Sequence, residues 1–99
     1  MRLDSLTLNV PASAGNGTAQ VVRDLIGLYV QVGGTFVADL NIEVSLNDGT
    51  DFEPSVQGVT SKGIFIIPEP ATHVRVALVA LTSGTPTVVV NGRNARTDV

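Results

Sequence analysis

The sequence contains no cysteine and no tryptophan, a single histidine, and only four aromatic side chains, Tyr29, Phe36, Phe52 and Phe65. Without cysteine there is neither a disulfide frame nor a thiolate metal site. With His73 as the one imidazole, a zinc site lacks its usual ligands. Charge is also sparse: 15% of the 99 residues are charged, and the net charge is −3. A nucleic-acid binder would carry a basic footprint, so this balance points away from DNA and RNA as partners. The longest apolar run, residues 76–81, falls far short of the ~20 residues that cross a bilayer. Arg2, Asp4, Ser5, Thr7 and Asn9 interrupt the first ten residues, which hold no apolar core of a secretion signal. The expectation is a protein made in a reducing cytoplasm, with no membrane segment.

Aliphatic residues are plentiful. The chain is 43% hydrophobic, with a mean hydropathy of +0.31. Ninety-nine residues make one domain with one core. The β-branched excess favours strands. It also exceeds what a small core needs, which hints that a partner covers some of the surface. The charges are unevenly spread. Asp24, Asp39, Glu43, Asp48, Asp51 and Glu53 fall in a stretch without Lys or Arg, while Arg2, Arg23, Lys62, Arg75, Arg93 and Arg96 lie outside it. The plain reading is a solvated surface; the sharper one is a basic tail that pairs with a neighbour in an assembly.

Residues 35–52 organise the rest. Phe36, Ala38, Leu40, Ile42, Val44 and Leu46 alternate with Val37, Asp39, Asn41, Glu43, Ser45 and Asn47. That period predicts a strand with one dry and one wet face. It runs into Asn47-Asp48-Gly49, a reverse-turn signal. Before it, residues 3–10 read as a strand stopped by Pro11, and residues 11–18 as a loop of small residues. Residues 20–24 read as a short strand and residues 25–33 as a clearer one, with Ile26, Leu28, Val30 and Val32 on one side. Gly33-Gly34 reads as a hairpin turn.

After the acidic turn, Phe52-Glu53-Pro54 is expected to leave the sheet, residues 55–60 to form an edge strand, and Ser61-Lys62-Gly63 to turn into a strand at 64–67. Pro68-Glu69-Pro70 imposes an extended linker. Residues 72–81, apolar on nearly both faces, predict a central or covered strand, and residues 87–91 close the sheet. Seven or eight short strands without helical periodicity predict an all-β, single-domain antiparallel β-sandwich, jelly-roll or immunoglobulin-like, with a small closed barrel as the alternative. The domain is expected over residues 1–92, with a possible arm at 1–4 and a polar tail at 93–99.

No motif carries chemistry. His73 has no local nucleophile or carboxylate and reads as a strand-entry residue. Placing Gly49 at the sixth position of an EF-hand loop puts Val44, Leu46 and Ser55 at ligand positions, which fails. A looser cation site from Asp48, Asp51 and Glu53 competes with a plain tight turn, and the turn is preferred. Carboxylate pairs of the glycosidase kind, about 5–9 Å apart, can arise anywhere in a sandwich, but the aromatic platforms are missing. Gly15-Asn16-Gly17 lacks the third glycine and following helix of a phosphate loop. Asn16-Gly17-Thr18 matches a glycosylation sequon but reads as a loop. The expectation is a non-enzyme with no catalytic residue, cofactor, metal or small-molecule substrate.

Residues 25–91 carry a sequence of strand and turn motifs: Val30-Gln31-Val32-Gly33-Gly34-Thr35-Phe36, then Glu43-Val44-Ser45-Leu46-Asn47-Asp48-Gly49-Thr50-Asp51-Phe52, Val74-Arg75-Val76, and Thr82-Ser83-Gly84-Thr85-Pro86-Thr87-Val88-Val89-Val90. Together they resemble a pattern common among small virion proteins of tailed bacteriophages. Phe52 stands where that pattern often has tryptophan, and residues 1–24 and 93–99 lie outside it. The resemblance implies a head decoration or cement protein, a homo-oligomer on the outer capsid surface whose partner is the major capsid protein. Assembly contacts are then expected at Met1, Arg2, Leu3, Asp4, Pro11, Ala12, Asn16, Arg93, Asn94 and Arg96. A carbohydrate- or receptor-binding module of a tail fibre, favoured by exposed aromatics around Tyr29 or Phe52, and a tail or baseplate accessory domain are the alternatives.

Overall fold

The computed structural model describes residues 2–94, which form nine strands and no helix. They are β1 (Arg2–Leu8), β2 (Gly15–Asn16), β3 (Gln20–Val21), β4 (Leu25–Gly33), β5 (Phe36–Ser45), β6 (Glu53–Val59), β7 (Gly63–Ile67), β8 (His73–Gly84) and β9 (Thr87–Asn94). Two antiparallel sheets face each other. The first has the order β1-β9-β4-β7, and the second β2-β8-β5-β6, with β3 also paired to β8.

All but two connections between consecutive strands pass from one sheet to the other: β2 and β3 both line the edge of β8, and β5 and β6 form a hairpin. If β2 and β3 count as one interrupted strand, eight strands wind through two Greek keys, which is the jelly roll rather than the immunoglobulin order. The core lies between the sheets. Leu28, Val30, Val32, Val88 and Val90 from the first meet Leu40, Ile42, Val44, Val74, Val76 and Leu78 from the second. Each aliphatic side chain buried this way contributes about 1.5–3 kcal/mol.

Several local expectations are corrected. Gly33-Gly34 does not form a hairpin, because β4 and β5 belong to different sheets; it is a corner that carries the chain across the sandwich. Gly34 has φ 89°, and a β-carbon there would lie 2.9 Å from the Thr85 carbonyl oxygen. That oxygen belongs to a second corner, 84–86, so the two crossings interlock at one end of the molecule. Ile26 is solvent-exposed, not inward-facing: a register shift between Ile26 and Tyr29, with Gly27 at φ 65°, puts Leu25 and Leu28 inside instead.

Leu46 is also exposed, because β5 ends at Ser45 and the chain turns before the alternation can seat it. Glu53 and Pro54 stay in the sheet, opposite Val44 and Glu43. The first strand stops at Leu8, and the strand expected at residues 20–24 is limited to Gln20–Val21. At the chain ends, Leu3 and Asp4 are strand residues of β1 rather than a free arm, and Arg93 and Asn94 belong to β9 rather than to a tail. β8 is central, as its apolar pattern requires, although Val79 faces solvent where the β5–β8 register shifts.

Candidate functional site

The expected assembly contacts fall into two separate groups. Antiparallel pairing of β1 with β9 sets Arg2 opposite Asn94, Leu3 opposite Arg93 and Asp4 opposite Gly92. Asn94 Nδ2 donates to Asp4 Oδ2 at 2.6 Å, and Leu3 and Arg93 are exposed. Pro11 and Ala12 follow the far end of β1, about 20 Å away at the rise of a seven-residue strand. Asn16 is exposed in β2, opposite Ala77 on the second sheet. No single flat contact joins both groups. Met1 and Arg96 lie outside the described residues.

The acidic turn is knit together internally. Asp48 and Gly49 both have positive φ, and Thr50 N donates to Asn47 O at 3.4 Å, as in a type I′ turn. Ser45, only 1% exposed, accepts from Gly49 N at 2.9 Å and donates to Asn47 Oδ1 at 2.9 Å. Asn47 in turn bonds both the backbone N–H and the carboxylate of Asp51. Thr72 Oγ1 accepts from Asp48 N at 3.0 Å and lies 3.1 Å from His73 Nδ1, so His73 packs beside the turn. Arg23 pairs with Asp48. Arg75 pairs with Glu43 at 2.8 Å and stacks 4.0 Å above the centre of the Phe52 ring. The acidic middle of the sequence is thus partly neutralised within the fold by bases that lie outside it.

Beside the turn an open depression of about 310 Å³ has a floor of Val44, Leu46 and Pro54 and a rim of Asp51, Glu53 and Glu69. Glu69 accepts from Ser55 Oγ at 2.5 Å, and Asp51 is held by Asn47. Among the described residues no three acidic or histidine side chains converge as a metal site.

The outer face of the first sheet is the largest feature that reasoning from motifs missed. Tyr29 sits between Asn91 and Ile66, and Gln31 between Val89 and Ile64, in adjacent rows across β9, β4 and β7. Ile64 is 68% exposed, Ile66 60% and Tyr29 49%. An open depression of about 420 Å³ runs along these rows, with Ser5, Asn91 and Gln31 as its polar lining. Asn91 Nδ2 donates to Ser5 Oγ at 2.9 Å. The signal was present in the unbroken apolar run of β7: a strand buried on one face alone has no need of isoleucine on the other.

Fold and surface together define a jelly-roll domain with an exposed apolar patch on the outer face of one sheet and an internally hydrogen-bonded acidic loop. No protein-family model matches the chain, and no curated protein matches it by sequence. Among solved structures it is similar to the crystal structure of the SPBc2 prophage-derived protein YomS, with a TM-score of 0.63 over 92% of each chain at 17% identity. At that identity the likeness is one of fold.

Proposed function

We propose that this chain is a bacteriophage structural protein that acts by binding, and more specifically a head decoration protein seated on the outer surface of the capsid. The observation that carries the reading is the apolar patch on the outer face of the first sheet, where Tyr29, Ile64 and Ile66 stand exposed side by side. Apolar side chains in a contiguous patch mark a surface that another protein covers. The motif pattern over residues 25–91 and the prophage origin of the similarly folded YomS support a phage setting. In this reading the protein is made in the host cytoplasm, assembles on the virion with the major capsid protein as partner, and works as a homo-oligomer. It needs no cofactor and no catalytic residue. A protein that binds only the assembled shell stabilises that shell by mass action.

The test is to add the purified protein to particles that lack it, sediment them, and image them. Density at regular positions on the head is the expected result. Density confined to the tail, or none, overturns the decoration role. Contact residues are best probed by Arg93→Glu at one end and Ala12→Glu at the other. Removing residues 11–18 whole would also take out β2, and Gly17 N donates to Val76 O at 2.7 Å.

One observation favours a second reading. Tyr29 is exposed in a depression lined by Gln31, Asn91 and Ser5, an aromatic face with amide and hydroxyl groups around it, which suits a sugar ring. Phe52 does not join it, since Arg75 covers its ring. Saturable binding on a glycan array, lost in Tyr29→Ala, would replace the decoration role with carbohydrate recognition.

A further inference from the structure

We propose that the free edge of β7 pairs antiparallel with β7 of a second copy, joining two four-stranded sheets into one of eight strands about a two-fold axis at Phe65. The two sheets end in four edges, and natural sheets guard such edges against pairing with charge, proline, bulges or brevity. Three of the four are guarded here. β1 carries Asp4 on its inward side, half-buried beside Leu6 and Val22. The opposite edge of the second sheet is broken into β2 and β3, of two residues each. β6 contains Pro54, two register irregularities against β5, and Gly58 at φ 67°.

β7 has none of these. Its sequence, Gly63-Ile64-Phe65-Ile66-Ile67, holds no charge and no proline, and it pairs with β4 in unbroken register on one side only. Among the described residues no strand pairs with its other side, which is open to accept one.

The strand is also complementary to itself. With Phe65 opposite Phe65 of the second copy, each Ile64 stands opposite an Ile66 on the outer face. Two rows of exposed side chains then become one apolar band, flanked by Tyr29 of each copy. Phe65, half-buried at the flank of the sandwich, is covered by its twin. The nearest charges beyond the strand ends are Lys62 and Glu69. Antiparallel pairing brings the Lys62 end of one copy to the Glu69 end of the other, whereas parallel pairing would set like beside like. Because each copy has one such edge, the contact is isologous and closes at two. The proposal does not depend on where the protein works.

Sedimentation of the full chain over a range of concentrations tests it. The expected result is a dimer in which Ile64→Lys and Ile66→Lys each raise the dissociation constant about tenfold or more. Both positions are exposed in the single chain, so an unchanged melting curve of the dissociated variants separates lost pairing from lost folding. The register is read by cross-linking, since the chain has no cysteine of its own. A mixture of Ile64→Cys and Ile66→Cys chains should link faster than either alone, because directly opposed positions lie about 4.5–5.5 Å apart and fit a disulfide. A monomer at every concentration, a trimer, a dimer indifferent to the lysines, or equal cross-linking in mixed and single preparations overturns the proposal. A monomer whose lysine variants fail to bind particles overturns it too, and assigns the edge to the shell.

Discussion

Gly84 and Thr35 approach so closely that a β-carbon on Gly84 would lie 2.1 Å from the Thr35 carbonyl oxygen. Gly84 also has φ 74°, in the left-handed region. Gly84→Ala therefore meets two penalties, a left-handed backbone and a collision with the backbone of the neighbouring corner. Gly58, at φ 67°, has nothing within 4 Å of its would-be β-carbon. Chemical denaturation should show Gly58→Ala losing about 1–2 kcal/mol, and Gly84→Ala losing considerably more or failing to fold. Equal losses would mean that the interlocked corners do not hold the two sheets in place.

Arg75 on β8 and Glu43 on β5 face each other across the sheet, and the guanidinium also roofs Phe52. Both side chains are largely shielded, at 24% and 17% exposure. Arg75→Ala leaves a shielded carboxylate unpaired and uncovers the ring, with an expected cost of about 2 kcal/mol. Glu43→Gln with Arg75→Met removes both charges while keeping their bulk, and should recover much of that loss in thermal denaturation.

Ser45→Ala should loosen the acidic turn. The buried hydroxyl serves two backbone N–H groups and the Asn47 side chain at once, so its loss leaves donors without an acceptor, at about 1–3 kcal/mol. Amide exchange at Gly49 should quicken relative to that of Val30 at the centre of β4.

Leu40 and Leu46 share a phase in the sequence but not a fate in the fold. Leu40 is fully buried and Leu46 is 60% exposed. Leu40→Ala should cost about 2–5 kcal/mol, and Leu46→Ala less than about 0.5. Comparable losses at both sites would show that the dry face of β5 extends past Ser45.

The same pair shows what a single sequence conveys. Alternation located β4 and β5 and picked out Leu40, Ile42 and Val44, because a period of two is a local property of a half-buried strand. It could not say where the phase breaks. A bulge at Gly27 reversed Ile26, and a turn beginning after Ser45 released Leu46. Gly33-Gly34 supplies the same backbone freedom to a hairpin as to a sandwich corner, and the choice depends on pairing with β9 and β7, dozens of residues away. The candidate surface was harder still. Tyr29, Ile64 and Ile66 become a patch only when β4 and β7 are placed side by side, and nothing near any of them in sequence says so. The expected contacts at the two ends of β1 looked like one set on paper because sequence carries no distance.

The jelly-roll order also governs when this protein can acquire its shape. β9, the last of the nine strands to be synthesised, is an inner member of the first sheet and joins β1 to β4, with Leu8 opposite Val88. A nascent chain on the ribosome therefore holds β1 without a partner until almost every other strand has emerged. The first sheet cannot close until β9 has been made, and a chain halted before residue 87 would expose both strands that β9 normally bridges. Long-range closure of this kind is slow, which makes the interval between synthesis and closure the stage at which an unguarded edge such as β7 is most exposed to pairing with the wrong strand.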